Sequence, residues 1–305
     1  TPLYSSAASD VYKRQDPYHN SQWRELYPTE NLENIKKLAQ AGNENKCFFV
    51  YALHPFMNSP FNFNNYNADL ATVKAKYLQV IEAGVRQIAL LEDDATGSSA
   101  ANLSRLLNDL TDWLTDLKKN KYSDLKTDIL YCPNDYMGNG SSAKLKGVNA
   151  SANRQVHMVM TGNAVWGQVS ANFADTFYNN VASTNAAGRY PYMWVNWPCN
   201  DNYKTGLIMG GHNTILHTGI DGRKYEGIIL NPMQHSEPSK VAIFTAADYC
   251  WKPWDAKEEG DQAWEDSFKY IDHVTALESD SSKALREVAK HMIYQGPVQT
   301  AGRQA

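Results

Sequence analysis

Residues 87–94 read Gln87-Ile88-Ala89-Leu90-Leu91-Glu92-Asp93-Asp94, an apolar segment of strand length that ends in three consecutive carboxylates. Like charges this close repel one another, so they do not all ionise without a compensating partner. Such a cluster at a strand end indicates a metal site, a cationic partner, or two carboxyl groups that titrate at different pH. A solvated acidic turn is the structural alternative for the same three residues.

The same combination of apolar run and polar end recurs along the chain. Short and nearly continuous apolar runs are typical of strands that are buried on both faces of a parallel sheet. The predicted strands are Cys47–Leu53, Gln87–Leu91, Asp128–Cys132, Gln155–Met160, Tyr190–Val195 and Gly227–Leu230.

Helices are predicted between several of these strands. Apolar residues recur at helical spacing over residues 70–81, and Gly84 follows as a natural helix C-cap. Leucines form a second stripe over residues 103–117, which predicts a helix that packs one face against the core. Strands that alternate with helices predict an α/β fold, and a (β/α)8 TIM-type barrel is the leading candidate. In such a barrel the active site lies at the carboxyl ends of the strands.

Composition limits the class of protein. With 305 residues and 43% apolar content, the chain can bury one barrel core and a small appendage. A net charge of -4 gives no indication of a nucleic-acid partner. No apolar run approaches the roughly 20 residues of a membrane span. The cysteines lack metal-ligand spacing, so we predict free buried thiols rather than disulfides or zinc for Cys47, Cys132, Cys199 and Cys250.

The N-terminal segment is expected to be foreign to the protein. Residues 5–15 read as an in-frame translation of the transposase adapter used to prepare DNA sequencing libraries. We therefore treat residues 1–15 as an adapter-derived artefact plus unassigned residues, and exclude them from the fold argument. On this interpretation the natural sequence starts at Asp16, and any signal peptide upstream is missing.

Several motifs occur in order along the chain. They are Asp16-Pro17-Tyr18-His19 with Trp23-Arg24, Gly84-Val85-Arg86-Gln87 leading to Asp93-Asp94, Cys132-Pro133-Asn134-Asp135-Tyr136, Val159-Met160-Thr161-Gly162, Trp194-Val195-Asn196-Trp197-Pro198-Cys199-Asn200-Asp201, and Asn231-Pro232-Met233-Gln234. In order and spacing they resemble the motifs of glycoside hydrolase family 84, and the resemblance covers residues 16–254. That family contains bacterial β-N-acetylglucosaminidases, including hyaluronidase-like toxins, and the animal enzyme that removes O-linked GlcNAc from proteins.

The resemblance implies roles for the two adjacent aspartates. In substrate-assisted hydrolysis the 2-acetamido oxygen of the sugar is the nucleophile, which departs from the usual schemes with two reacting carboxylates. Asp93 resembles the carboxylate that polarises the acetamido N–H while an oxazoline forms. Asp94 resembles the general acid/base that protonates the leaving oxygen and then accepts a proton from water. Glu92 has no role in the family scheme, and a salt bridge or solvent exposure is expected for it.

The resemblance also implies a sugar pocket around that pair. Tyr136 resembles the family tyrosine whose hydroxyl lies near the acetamido group, with a core tyrosine as the alternative. Asp201 resembles the carboxylate that grips the outer sugar hydroxyls. Four further residues complete the substrate-binding candidates. Asn196 and Asn231 resemble asparagines that line the pocket. Trp194 and Trp251 are expected to form its apolar walls, with packing in the core as the alternative.

The domain organisation is expected to be incomplete. Residues 16–254 are predicted to form the catalytic barrel, with six of the eight expected strands and without the first two. The family places a sugar-binding lysine where Arg14 stands, and we carry no role onto Arg14 or Lys13. Residues 255–305 are predicted to be the helical start of the following domain, cut short near Ala305, with Ser281 and Ser282 as helix caps.

The function that follows from the resemblance is that of a retaining β-N-acetylglucosaminidase acting on terminal β-linked GlcNAc of glycans, hyaluronan fragments or O-GlcNAc proteins. No cofactor and no metal are expected, the partner is a carbohydrate, and the oligomeric state is open. The resemblance favours an extracellular or cell-surface location. A noncatalytic carbohydrate-binding relative is the first alternative, and a Mg-dependent phosphoryl-transfer enzyme built on Glu92, Asp93 and Asp94 is the second. The truncated chain itself is expected to be inactive.

Overall fold

Six β-strands and eight α-helices are present in the part of the chain that the structure describes. In chain order they are α1 (Thr29–Glu44), β1 (Val50–Leu53), α2 (Tyr66–Glu82), β2 (Gln87–Leu91), α3 (Ala100–Asn120), β3 (Ile129–Cys132), α4 (Ala143–Ser151), β4 (Val156–Met160), α5 (Ala171–Val181), β5 (Tyr192–Val195), β6 (Gly227–Leu230), α6 (Ser236–Trp251), α7 (Lys257–Ser267) and α8 (Asp280–Ala289).

The structure is a computed structural model and describes residues 16–45, 47, 49–201, 206–210, 215–271 and 276–293. The adapter-like segment, with Lys13 and Arg14, therefore lies outside the described residues. The described residues form two compact units, and the division falls within α5 and β5. The first unit comprises residues 16–160 and 176–192, and the second comprises residues 161–175 and 193–293.

Strands β1 to β4 of the first unit lie side by side in chain order and are parallel. Parallel neighbours need a crossover connection, and α2, α3 and α4 supply it. The predicted leucine stripe is buried on α3 except for Leu117, which is half-buried, and Val73, Tyr77, Val80 and Ile81 are buried on α2. Because the strands are parallel, the residues that follow β1, β2 and β3 emerge at one edge of this sheet.

Four of the six strands start later than the sequence predicts. Strands β3 and β4 start one residue later, and local backbone chemistry explains the larger differences at β1 and β5. The N–H of Cys47 donates a hydrogen bond to the carbonyl of Gly42 at 2.8 Å, so this amide is not available to a sheet and β1 starts at Val50. Cys47 is exposed, whereas the other three cysteines are buried, and all four are free thiols. Strand β5 starts at Tyr192 because Pro191 has no N–H to donate.

In the second unit β5 and β6 are neighbouring strands, and the N–H of Asn231 donates to the carbonyl of Val195 at 2.9 Å. Three helices follow and share an apolar cluster of Met209, Val241, Trp264, Phe268 and Ala289. The start of α8 differs from the sequence prediction. Its N-cap is Ser279, and Ser282 completes a reciprocal capping box three residues later, so Ser281 is not a cap.

The alternation of strands with helices, and the parallel pairing within the first unit, confirm the α/β class. The two further strands of a closed eight-stranded barrel and the domain boundary after residue 254 stay predictions. Among the described residues, no helix combines the length and the apolar character needed to cross a lipid bilayer.

Candidate active site

The chain leaves β2 through a bend that contains the two candidate catalytic aspartates. Glu92 extends the pairing by one residue, since its N–H donates to the carbonyl of Cys132 at 2.8 Å. Asp93 is 5% exposed, whereas Asp94 is exposed and has a φ of +56°. A left-handed backbone costs an L-residue on the order of 1–2 kcal/mol, although aspartate tolerates it better than most residues. The positive φ therefore requires support from the surrounding structure.

Glu92 is completely buried and its carboxylate accepts three hydrogen bonds. Oε1 accepts from the N–H of Ser98 at 2.6 Å. Oε2 accepts from the hydroxyl of Tyr131 at 2.6 Å and from Nζ of Lys144 at 2.6 Å. Burial, together with the negative charge of Glu92, raises the pKa of the Tyr131 hydroxyl, which therefore stays a donor. Of the two expectations for Glu92, the salt bridge is confirmed and solvent exposure is wrong.

His54 lies directly after β1 and contacts Asp93 in the bend after the neighbouring strand β2. Its Nε2 lies 2.7 Å from the backbone carbonyl oxygen of Asp93 and 3.5 Å from Oδ1 of the same residue. A carbonyl only accepts hydrogen bonds, so Nε2 of His54 carries a proton and donates it in this contact. His54 thus holds the backbone at Asp93 by a donated hydrogen bond.

Tyr136 lies in the loop after β3 and contacts the second aspartate. Its hydroxyl donates a hydrogen bond to Oδ1 of Asp94 at 2.9 Å. Partial burial, the hydrogen bond to Asp94 and the charges of Asp94 and Asp93 raise the pKa of the Tyr136 hydroxyl. The tyrosine therefore remains protonated at physiological pH and acts as a donor toward Asp94. The structure brings three of the predicted site residues together in the first unit, Asp93, Asp94 and Tyr136.

The geometry bears on the metal hypothesis for the three consecutive carboxylates. Both oxygens of Glu92 are already engaged by Ser98, Tyr131 and Lys144. Within the described ranges, no group of three or more histidine, cysteine, aspartate or glutamate side chains is arranged to hold a metal ion. The three donors therefore fix the orientation of the Glu92 carboxylate.

A second cluster of predicted residues is joined by hydrogen bonds in the second unit. The side-chain oxygen of Asn196 accepts from Nε1 of Trp194 at 3.0 Å and from Nδ2 of Asn231 at 2.9 Å. Its amide nitrogen donates to the carbonyl of Val165 at 2.6 Å. Asn196 and Asn231 are buried and Trp194 is half-buried. Asn196 therefore fixes the orientation of the other two side chains.

Two further candidates of the second unit, Asp201 and Trp251, are exposed. Asp201 is exposed and is the last described residue before the gap at residues 202–205. Trp251 is 81% exposed at the end of α6, a helix of 16 residues that begins shortly after Asn231. A helix of this length spans about 24 Å, so the structure does not bring Trp251 to Asn231.

Among the residues that sequence reasoning missed are His54, which contacts Asp93, and Lys144, which contacts Glu92. His54 follows a predicted strand just as Asp93 does, so a search for polar residues at strand ends would have found it. Lys144 lies within α4 and carries no such signal, because nothing local in the sequence indicates that a lysine on a helix pairs with Glu92.

The sequence and the fold of this chain are both similar to those of proteins of known family. A family model described as beta-N-acetylglucosaminidase matches residues 11–290. The Protein O-GlcNAcase of Rattus norvegicus is 27% identical over 251 residues, which are 78% of this chain and 26% of that protein. The chain thus spans about a quarter of the length of the curated relatives it matches.

Solved structures of similar fold belong to the same family. The structure of CpGH84D matches with a TM-score of 0.80 at 34% identity, over 93% of this chain and 45% of that one. The structure of CpGH84B matches with a TM-score of 0.76 at 26% identity, over 92% of this chain and 47% of that one. With adjacent aspartates after β2 and a family match over most of its length, the chain belongs to the β-N-acetylglucosaminidases of glycoside hydrolase family 84.

Proposed function

We propose that this chain carries the catalytic carboxylates of a retaining β-N-acetylglucosaminidase that removes terminal β-linked GlcNAc by substrate-assisted catalysis. The observation that supports this proposal best is the pair of consecutive aspartates after β2, one held through its backbone by His54 and the other bonded by Tyr136. Two adjacent carboxylates in different surroundings are suited to two different roles in one reaction.

In the proposed first step, the acetamido oxygen of the sugar attacks the anomeric carbon and the bond to the leaving oxygen breaks. Asp93 accepts a hydrogen bond from the acetamido N–H, which increases the electron density on the attacking oxygen. It takes up this proton as the neutral oxazoline forms and returns it to the nitrogen when water opens the ring. Its burial supports this role, because a hydrogen bond to a carboxylate is stronger where water is excluded.

Asp94 is the proposed general acid and base. It donates a proton to the leaving oxygen as the oxazoline forms, and it then accepts a proton from the water that opens the ring. Its exposure supports this role, because both the leaving group and water must reach it. Tyr136 donates to Asp94 and keeps the carboxyl group in one orientation through both steps.

We propose that the second unit supplies sugar-binding groups. Trp194 presents an apolar ring for a pyranose face, and Asn231 and Asp201 bind sugar hydroxyls. Asn196 has its oxygen occupied by Trp194 and Asn231, so its proposed role is to orient these two side chains. We leave Trp251 out of the sugar site because of its place at the far end of α6.

The natural substrate is part of the proposal. Relatives that match this chain are described as Protein O-GlcNAcase, which supports O-GlcNAc proteins as the first substrate class to test. Terminal β-linked GlcNAc of other glycans and of hyaluronan fragments forms the second class.

The test is hydrolysis of an aryl β-N-acetylglucosaminide by the full-length protein that carries this chain, with the first-formed sugar anomer followed by NMR. The expected product is the β-anomer, formed with retention. Replacing the acetamido methyl by trifluoromethyl should slow the reaction strongly, because the fluorines withdraw electrons from the nucleophilic oxygen. An α-anomer product, or a rate insensitive to fluorination, would contradict the mechanism.

Two controls separate this function from the alternatives. Glycoside hydrolysis that survives a chelator agrees with the glycosidase. Mg²⁺-dependent turnover of a phosphate ester, without hydrolysis of the glycoside, would support the phosphoryl-transfer alternative. Binding of GlcNAc without turnover of any aryl glycoside would show a noncatalytic carbohydrate-binding relative instead.

A further inference from the structure

We propose that the buried ion pair between Lys144 and Glu92 is a positioning device that couples two loops, one carrying Asp93 and Asp94 and the other carrying Tyr136. The inference rests on the proposed function, because it assigns these two residues a part in the same reaction. Neither residue is a catalytic residue in this proposal. Both act through the geometry of the Tyr136–Asp94 contact.

Glu92 closes the loop that carries the aspartates. Its Oε1 accepts from the N–H of Ser98 at 2.6 Å, so one side chain ties residue 92 to residue 98. Its backbone carbonyl also accepts from the N–H of Ala95 at 3.3 Å. Between these anchors Asp94 has its left-handed backbone, with a φ of +56°. The Glu92 carboxylate therefore stabilises a strained turn at the residue that must transfer the proton.

Lys144 joins this loop to the loop that carries Tyr136. Its Nζ donates to Oε2 of Glu92 at 2.6 Å and also to the side-chain oxygen of Asn134, two residues before Tyr136. Tyr131, which precedes the same loop, donates to Glu92 at 2.6 Å. One ammonium group on α4 thus holds a side chain from each loop.

The two loops also meet directly at Gly97. A Cβ atom at this position would lie 2.5 Å from Nδ2 of Asn134, which is closer than real Cβ contacts. A side chain at residue 97 would therefore have to displace the Asn134 side chain, which Lys144 also contacts. Together the ion pair and the close contact set the 2.9 Å distance between the Tyr136 hydroxyl and Asp94.

Because both residues of the pair are charged, a single substitution would not distinguish the loss of the link between the loops from a loss of stability. Glu92 is fully buried, and removing Lys144 alone would leave an uncompensated buried carboxylate, which is strongly destabilising. Replacing both partners by apolar residues of similar volume is often neutral for stability. The double variant Glu92→Leu with Lys144→Leu therefore removes the link between the loops without leaving a buried charge.

The experiment compares this double variant with wild type in the full-length protein, using two aryl β-N-acetylglucosaminides with good and poor leaving groups. A displacement of about 1 Å at a reacting group costs up to roughly 10²-fold in rate. We expect kcat for the poor leaving group to fall by about 10-fold to 10²-fold, with KM changed less than 3-fold, because Asp94 must protonate only that leaving oxygen. The matched control is Lys146→Leu, an exposed lysine on the same helix, which should behave as wild type.

A double-mutant cycle distinguishes positioning from a general loss of folding. If Lys144 and Glu92 act through Tyr136, the leucine pair should add little to the loss caused by Tyr136→Phe. Losses that multiply in the combined variant, or equal losses on both substrates, would overturn the inference. A wild-type protein without hydrolytic activity would instead refute the proposed function itself.

Gly97→Ala provides a second route if the leucine pair does not fold. This substitution pushes Asn134 away from the aspartate loop while the ion pair keeps its charges. The expected signature is the same selective loss of kcat on the poor leaving group. Wild-type kinetics of a folded Gly97→Ala variant would overturn the proposal.

Discussion

The hydroxyl of Tyr136, in the loop after β3, donates a hydrogen bond to Oδ1 of Asp94, in the loop after β2, at 2.9 Å. This contact joins the ends of two parallel strands and involves the only aspartate of the pair that is exposed. The raised pKa of Tyr136 keeps the hydroxyl protonated, so the tyrosine is a donor toward Asp94 at physiological pH. Substitutions of Asp94 and of Tyr136 test the two partners of this hydrogen bond separately.

Asp94→Asn should reduce hydrolysis of substrates with poor leaving groups much more than that of aryl glycosides with good ones. Only a poor leaving group needs the proton that Asp94 donates, and losing such an acid typically costs about 10²-fold to 10⁴-fold. Asp93→Asn should slow both substrates, because the acetamido oxygen must be oriented whatever group departs. Steady-state kcat/KM on a leaving-group series measures this division, and equal losses in both variants on both substrates would contradict it.

Tyr136→Phe should lower kcat by about 10-fold to 10²-fold, because a hydrogen bond to a charged group contributes roughly 1.5–3 kcal/mol. The ring remains and the side chain is only half-buried, so the melting temperature should shift little. Kinetics and thermal unfolding on the same preparation provide the two readouts. A folded Tyr136→Phe variant with wild-type kcat would show that the bond to Asp94 plays no part in the reaction.

Asn196→Leu should destabilise the second unit and weaken substrate binding. The substitution leaves the indole N–H of Trp194 and the amide of Asn231 without their acceptor, at about 1–3 kcal/mol for each buried group. We expect KM to rise more than kcat falls, because the sugar-binding side chains lose their orientation.

The matched variant is Asn196→Asp, which keeps an acceptor for Trp194 and Asn231 but no longer donates to the carbonyl of Val165. It should recover part of the KM effect of Asn196→Leu and remain less stable than wild type. Denaturant unfolding and kinetics of the two variants together separate the accepting from the donating function. Identical KM values in wild type and a folded Asn196→Leu would contradict the assignment.

The lowered pKa of Lys76 predicts that the free energy of unfolding of the first unit depends on pH. The side chain is completely buried, its Nζ donates to the carbonyl of Tyr18 at 3.0 Å, and burial lowers its pKa from 10.5 to about 8. Between these two values the unfolded chain binds a proton that the folded chain does not. The free energy of unfolding therefore rises as pH increases from about 8 toward 10.5, and this gain is lost as pH falls through 8.

The full difference corresponds to on the order of 3 kcal/mol. Lys76→Met should abolish this rise, measured by denaturant unfolding between about pH 7.5 and 9.5. This range lies below the titration of the buried tyrosines, whose raised pKa values act in the opposite direction above pH 10. Parallel pH profiles for wild type and Lys76→Met would contradict the prediction.

Much of the fold was predictable because its signals are local. Strands β2 and β6 have the predicted bounds, since a continuous apolar run between polar ends is a property of neighbouring residues. The leucine stripe likewise predicted the buried face of α3. The position of Asp93 and Asp94 directly after β2 follows from the same pattern, and only the resemblance to family 84 added their roles.

Tertiary structure decided which partners these residues have. Glu92 could have been a solvated carboxylate, and its pairing with Lys144 depends on where the fold places α4, because Lys144 lies 52 positions further along the chain. His54 meets Asp93 only because β1 and β2 pair in parallel with Leu53 beside Leu90. Trp251 could have lined a sugar site, but the length and direction of α6 leave it exposed. Hydrophobic periodicity is a property of neighbouring residues, so it can be recognised in the sequence. Contacts between distant residues depend on strand register and helix packing, which no local pattern determines.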